Sequence, residues 1–158
     1  MSESRTMQDW LDAYGASHQN PLNKKIHWIC VPLIFISIVG LLWSIPLPET
    51  FSDKPWLNMA TIMLVPVMIF YGRLSVPLTI GMTVWCLACF VMCIAYESVM
   101  RIPMWHSSLV VFLFAWLGQF YGHKIEGVKP SFFEDIQFLM IGPAWLMSFI
   151  YQRLGIRY

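Results

Sequence analysis

Charge is what this chain has least of. Lys, Arg, Asp and Glu make up 12% of its 158 residues, where a soluble domain carries about 25%. Hydrophobic residues reach 58%, with 8 Trp, 11 Phe and 11 Met, so the composition excludes an ordinary soluble domain and makes a lipid bilayer the expected solvent. The formal net charge is +1, and no stretch gathers enough Lys and Arg to follow a phosphate backbone. That argues against nucleic acid as a partner. The N-terminus, MSESRTMQDWLDAYGASHQN, lacks a basic segment followed by an apolar core, so no cleavable signal peptide is expected. Nucleotide-binding glycine loops and flavin fingerprints are absent too, and with them any reason to expect an organic cofactor.

Cysteine is also sparse. Cys30 stands alone in the first apolar run, while Cys86, Cys89 and Cys93 share the stretch TVWCLACFVMCIAY. With no second C-x-x-C pair and no histidine beside them, they read as small packing residues rather than a redox or zinc site. No internal repeat and no Gly/Ser-rich or Pro-rich linker divides the chain, so residues 1–158 are read as a single membrane-embedded domain.

What is present is a series of apolar runs separated by short polar joints. A bilayer core of about 30 Å asks for roughly 20 helical residues, which runs 26–47, 76–96 and 104–121 supply; 57–71 is shorter and contains Pro66. A fifth run, 136–151, is expected to be broken at Gly142-Pro143, because proline removes a helix hydrogen bond. Positive charge bears on whether this run crosses. Five full spans leave Arg5, Lys24, Lys25, Arg73, Lys124 and Lys129 inside and Lys54, Arg101, Arg153 and Arg157 outside. A returning last segment moves Arg153 and Arg157 inside, the more asymmetric division that the positive-inside bias favours. The expected fold is therefore an all-α integral membrane protein: a small bundle of four transmembrane helices, a re-entrant or fifth helix and a short N-terminal amphipathic helix. Both termini are expected in the cytoplasm, and a bacterial inner membrane is the expected location, or the endoplasmic reticulum if the source is eukaryotic.

Two polar clusters interrupt this apolar pattern. In HQNPLNKKIH, Asn20 followed by Pro21 predicts a helix N-cap with proline at the first position. Asn23 and His27 then share one helix face, and His18 lies just before the cap. Lys24 and Lys25 point elsewhere, toward lipid headgroups. In WLGQFYGHKIEGVKP, Gln119, His123 and Glu126 fall on one face of a continuing helix. Both clusters reach the same membrane side, where polar side chains without partners are costly and by default mark function. Three imidazoles with a carboxylate match a zinc or non-haem iron site; a polar network that only packs helices explains the same residues. His106 stands apart: seventeen residues before His123 on a straight helix, it lies about 25 Å away. Ser131 and Glu134 read as a capping box for the last helix.

His18, Asn20, Pro21, Asn23 and His27 spell H-x-N-P-x-N-x-x-x-H, and the later segment WLGQFYGHKIEGVKPSFFEDIQFLMIGPAW contains W-x-x-Q-F-x-G-H. Together these motifs resemble the Mpo1-like membrane protein family, at both ends of the chain; residues 47–105 match in hydrophobic character alone. The resemblance implies an Fe(II)-dependent dioxygenase of fatty acid alpha-oxidation that takes a 2-hydroxy long-chain fatty acid and dioxygen and returns the acid one carbon shorter. It implies His18, His27 and His123 as iron ligands and, with Glu126, as the catalytic set. Asn20, Asn23, Lys24, Gln119 and Lys124 are then expected around substrate or ligands. The family pattern places its glutamate four residues after the histidine, whereas Glu126 follows His123 by three, which leaves Glu126 as either a ligand or a group that orients His123. Two other classes use the same residues: a zinc-dependent membrane hydrolase with Glu126 as general base, and a non-enzymatic adaptor whose polar clusters lock the helices.

Overall fold

The side chain of Asn20 accepts hydrogen bonds from the backbone N–H of Leu22 and Asn23, and with Pro21 in the first turn it starts a helix of 23 residues. The computed structural model describes residues 6–48, 50, 57–127 and 132–158, and of 132–137 the backbone alone. Among these residues six α-helices follow in order: α1 (Met7–Ala16), α2 (Pro21–Trp43), α3 (Met59–Leu74), α4 (Val76–Val99), α5 (Met104–Glu126) and α6 (Phe132–Leu154). Among the described residues there is no β-strand. Helix α1 is the expected short amphipathic helix. Thr6 and Asp9 close it with a capping box, and Met7, Leu11 and Tyr14 form its buried face.

The most extensive contact in the molecule joins α2 to α5, and small residues make it possible. A Cβ on Gly118 would stand 2.6 Å from the Cys30 sulfur, and one on Gly122 would overlap Oδ1 of Asn23. Glycine at these positions lets the two backbones approach closely. Ser75 separates α3 from α4, ending one and capping the other through its hydroxyl, which accepts from the Leu78 N–H. Gly127, at φ 78°, ends α5 in the left-handed conformation that glycine adopts without strain.

Helix α6 departs from expectation. It runs unbroken through Gly142 and Pro143, where a break was predicted. Residues 141–148 are buried all round, and the chain on either side supplies enough packing to carry the one hydrogen bond that proline forgoes. Gly142 faces Tyr14 and Val31, Tyr71 donates to the Met140 carbonyl at 2.5 Å, and Tyr151 donates to the Pro77 carbonyl at 2.6 Å. Ser131, half of the expected capping box, lies outside the described residues, as does the side chain of Glu134.

Among the described residues two helices, α2 and α4, are long and apolar enough to cross a membrane, and α3 is a shorter apolar helix. The outer faces of α2 to α5 are themselves apolar: Ile29, Val65, Val84, Val91, Phe114 and Leu117 are each more than half exposed. Soluble monomers rarely expose contiguous apolar surface on this scale.

Candidate metal centre

Three histidines from three separate places meet where α1, α2 and α5 converge. His18 follows α1, His27 sits two turns into α2, and His123 lies in the last turn of α5. One ligand nitrogen from each lies within 4.8 Å of the other two. His18 and His27 are 2% and 1% exposed; His123 is half-buried.

Hydrogen bonds fix the tautomer of two of these rings. His18 Nδ1 lies 2.6 Å from the Tyr14 carbonyl, and His27 Nδ1 lies 3.0 Å from the Asn23 carbonyl. A carbonyl oxygen only accepts, so both Nδ1 atoms carry the proton and each neutral ring presents a bare Nε2 lone pair. Those two Nε2 atoms are 2.8 Å apart. Two lone pairs held this close repel each other until a cation, either a proton or a metal ion, comes between them. Adjacent nitrogens on one metal, each bonded at about 2.0–2.1 Å, stand roughly 3 Å apart. The donor set therefore fits a divalent ion, and His123 Nδ1, buried without a hydrogen-bond partner, is available to it. Burial pushes the His18 imidazole down to about 4, against the opposite pull of its bond to Tyr14, so at neutral pH it is in the form that binds metal.

The surrounding side chains divide into supports and neighbours. Tyr14 stacks on His18 with ring centroids 4.2 Å apart, and Trp145 of α6 packs on the same ring at 5.5 Å. Glu126 does not join the cluster of ligand nitrogens. Its carboxylate accepts from the backbone N–H of Gln19 at 2.7 Å and of Asn20 at 2.9 Å, and from the Asn23 side chain at 2.9 Å. It thus ties the end of α5 to the turn between α1 and α2. Burial pushes its pKa up, but the hydrogen bonds from Asn23, Asn20 and Gln19 outweigh that and the net shift is downward. Asn20 itself caps α2.

Lys24 departs from its expected outward position. It is half-buried and, with His18, lines a cavity of about 300 Å³ between α1, the start of α2 and α6. Lys25 and Lys124 are exposed. Gln119 is buried one turn before His123. His106 is exposed at the opposite end of an unbroken α5, stacked on Trp105.

Sequence reasoning passed over Tyr14, Trp145 and Gly122. The signal for Gly122 was readable: Gly118 and Gly122 form a small-x-x-x-small pair on α5. Nothing local marks Tyr14, whose carbonyl orients His18 from four residues away.

A search of curated proteins returns no match, and neither does a search of solved structures. Residues 4–154 match the family described as 2-hydroxy-palmitic acid dioxygenase Mpo1-like. That match spans nearly the whole chain, including all three histidines and both flanking motifs, and the protein belongs to the Mpo1-like family.

Proposed function

We propose that this protein is an Fe(II)-dependent dioxygenase that converts 2-hydroxy long-chain fatty acids to acids one carbon shorter. The observation that carries the reading is the pair of Nε2 lone pairs facing each other at 2.8 Å with His123 beside them; the family description supports the reaction class. The overall change balances with one dioxygen: the bond between C1 and C2 breaks, C1 leaves as carbon dioxide, C2 becomes the new carboxyl, and two hydrogens leave as water. When bound, ferrous iron would supply a redox centre at which dioxygen meets the carboxylate and hydroxyl oxygens of the substrate.

The chain's own residues do the rest. His18, His27 and His123 would hold the ion. The carbonyls of Tyr14 and Asn23 keep the first two rings in the ligating tautomer. Glu126 positions the His18-bearing turn. Lys24, in the cavity beside His18, and Lys124, exposed at the same end, draw the anionic head toward the metal. The acyl tail then lies along apolar side chains.

The proposal includes a membrane arrangement: α2 to α5 cross, and α1 and α6 stay on the side of the histidines. Support comes from the apolar outer faces of α2 to α5 and from α6, which packs on Tyr14, Pro77 and Tyr71 at the helix ends of that side. Labelling of single cysteines placed near residues 3 and 158 is expected to find both on one side; opposite sidedness would remove the arrangement.

The reaction is tested by mass spectrometry. Purified protein with ferrous iron and dioxygen is expected to shorten a 2-hydroxy long-chain acid by one carbon and to stop when a chelator is added. Elemental analysis of the same preparation separates iron from zinc. Product that survives the chelator would end the iron mechanism.

A further inference from the structure

Asn23 and Gln119 each bury an amide oxygen that has no hydrogen-bond partner. For Asn23 the local packing accounts for it. Its nitrogen must face the Glu126 carboxylate, which only accepts, so its oxygen turns to α5 and rests against the backbone of Gly122, a close approach of the kind that brings a Cα–H to an oxygen. Gln119 is the other case. Its side chain is 7% exposed and its Oε1 is unpaired, four residues before His123 on the same face of α5 and one turn deeper into the bundle. Three residues earlier, Trp116 buries a donor that is also unpaired, its Nε1. Native interiors rarely leave such groups without partners. Here one acceptor lies one turn, and one donor two turns, before a metal-ligand candidate on the same helix.

We propose that Gln119 is a specificity-determining residue that receives the O–H of the substrate's 2-hydroxyl, with Trp116 Nε1 serving the hydroxyl's lone pair. The identity of the ligand rests on the dioxygenase reading above. A hydroxyl donates one hydrogen bond and accepts another, so it matches both orphans. A 2-oxo acid is the telling comparison. It presents a carboxylate and a neighbouring oxygen to a metal just as the hydroxy acid does, but its ketone oxygen has no hydrogen to give and would face the Gln119 oxygen without a proton between them. Sites built around one hydroxyl reject analogues that lack it far more strongly than apolar pockets reject a change of size.

Binding without dioxygen tests this, because no turnover then intervenes. Zinc-loaded protein is titrated with 2-hydroxy- and 2-oxo-hexadecanoic acid while tryptophan fluorescence is read. Wild type is expected to bind the hydroxy acid at least about tenfold tighter. In Gln119→Leu the two affinities are expected to fall within about twofold of each other, with metal content by elemental analysis unchanged. Equal affinities in wild type overturn the proposal whether or not the variant folds, and so does a preference that survives Gln119→Leu. A preference that is present and is lost in the variant, in a protein that with iron fails to shorten the hydroxy acid, leaves this recognition standing and removes the proposed reaction instead.

Discussion

At one end of the α2–α5 pair, Gly118 and Gly122 of α5 let side chains of α2 press against its backbone; at the other, Gly40 of α2 receives Ser108 of α5 in the same manner. The two ends share their packing and differ in how they treat polar groups. Away from the histidines, several polar side chains near the contact find partners, and among the described residues the one buried orphan there is Nδ2 of Asn58, at the start of α3. Ser37 bonds to the Ile34 carbonyl, Ser44 to the Gly40 carbonyl, Tyr96 to Ser107, and Trp43 to Glu97. At the histidine end, Gln119 Oε1, Trp116 Nε1 and His123 Nδ1 are buried without one, and two imidazole lone pairs face each other. A satisfied network fixes helices against each other. An unsatisfied one of similar size marks where a ligand supplies the missing partners.

The largest predicted effect separates the two ends by histidine. His123→Ala is expected to lower both metal affinity and turnover by more than about 100-fold, the upper end of what loss of a mere supporting group produces. His106→Ala, on the same helix at the far end, is expected to leave both nearly unchanged. Elemental analysis and product formation measure the pair. Equal losses in the two variants would erase the distinction between the ends.

Next in size is Glu126→Gln. The carboxylate holds three N–H donors from the α1–α2 turn and Asn23; an amide keeps one acceptor oxygen and puts an NH2 group where another donor already sits. Metal affinity is expected to fall about 10- to 100-fold, while metal-free stability changes much less because the carboxylate is near the surface. A competitive chelator titration reads the first quantity and thermal unfolding of stripped protein the second. If stability falls and metal affinity does not, Glu126 is a helix clasp with no bearing on the site.

Glycine substitution compares the ends directly. A Cβ on Gly40 meets Ser108 Oγ, the tip of a short side chain that can rotate away, so Gly40→Ala is expected to cost less than about 1 kcal/mol. A Cβ on Gly122 meets Asn23 Oδ1, and Asn23 is held by Glu126 and cannot turn. Gly122→Ala is expected to cost about 1–3 kcal/mol, the range for overpacking, and to weaken metal binding as the Asn23 carbonyl shifts under His27. Unfolding midpoints and metal titrations of the two variants decide it; metal loss in Gly40→Ala would mean that the ends are mechanically coupled.

These contrasts also show which parts of the molecule were legible in the sequence. The start of α2 was, because Asn20-Pro21 is a local signal that acts through its own backbone. The gathering of His18, His27 and His123 was legible too, since helix periodicity and the expected alternation of spans put them at one rim. What stayed hidden depends on contacts between distant positions. Glu126 reaches Gln19 and Asn20 across more than a hundred residues, and its spacing from His123 says nothing about that reach. Gly142-Pro143 looked like a break because proline was judged alone, whereas burial on all sides keeps α6 helical there. Lys24 seemed bound for lipid because α1, which walls the cavity beside it, cannot be placed against α2 from sequence alone.

The smallest expected effect lies at the satisfied end. Trp43 Nε1 donates to Glu97 Oε1 at 3.1 Å on the exposed rim, and the Trp43 ring packs edge-on against Phe90 at 5.6 Å. Trp43→Phe removes the donor and keeps an aromatic ring against Phe90, so what is lost is one hydrogen bond whose acceptor can turn to water. Such a bond contributes about 0.5–1.5 kcal/mol when it is well enclosed, and at this exposed rim the loss is expected near or below the lower limit. Nothing at the histidine end depends on it, because the four turns of α2 between Trp43 and His27 are held by their own packing on α5. Metal content, chelator titration and the shortening of a 2-hydroxy acid are therefore expected to match wild type, with only the unfolding midpoint slightly lowered. A variant that kept its stability but lost metal would show the polar network at this end acting on the site, and the division between a structural end and a ligand-binding end would fail.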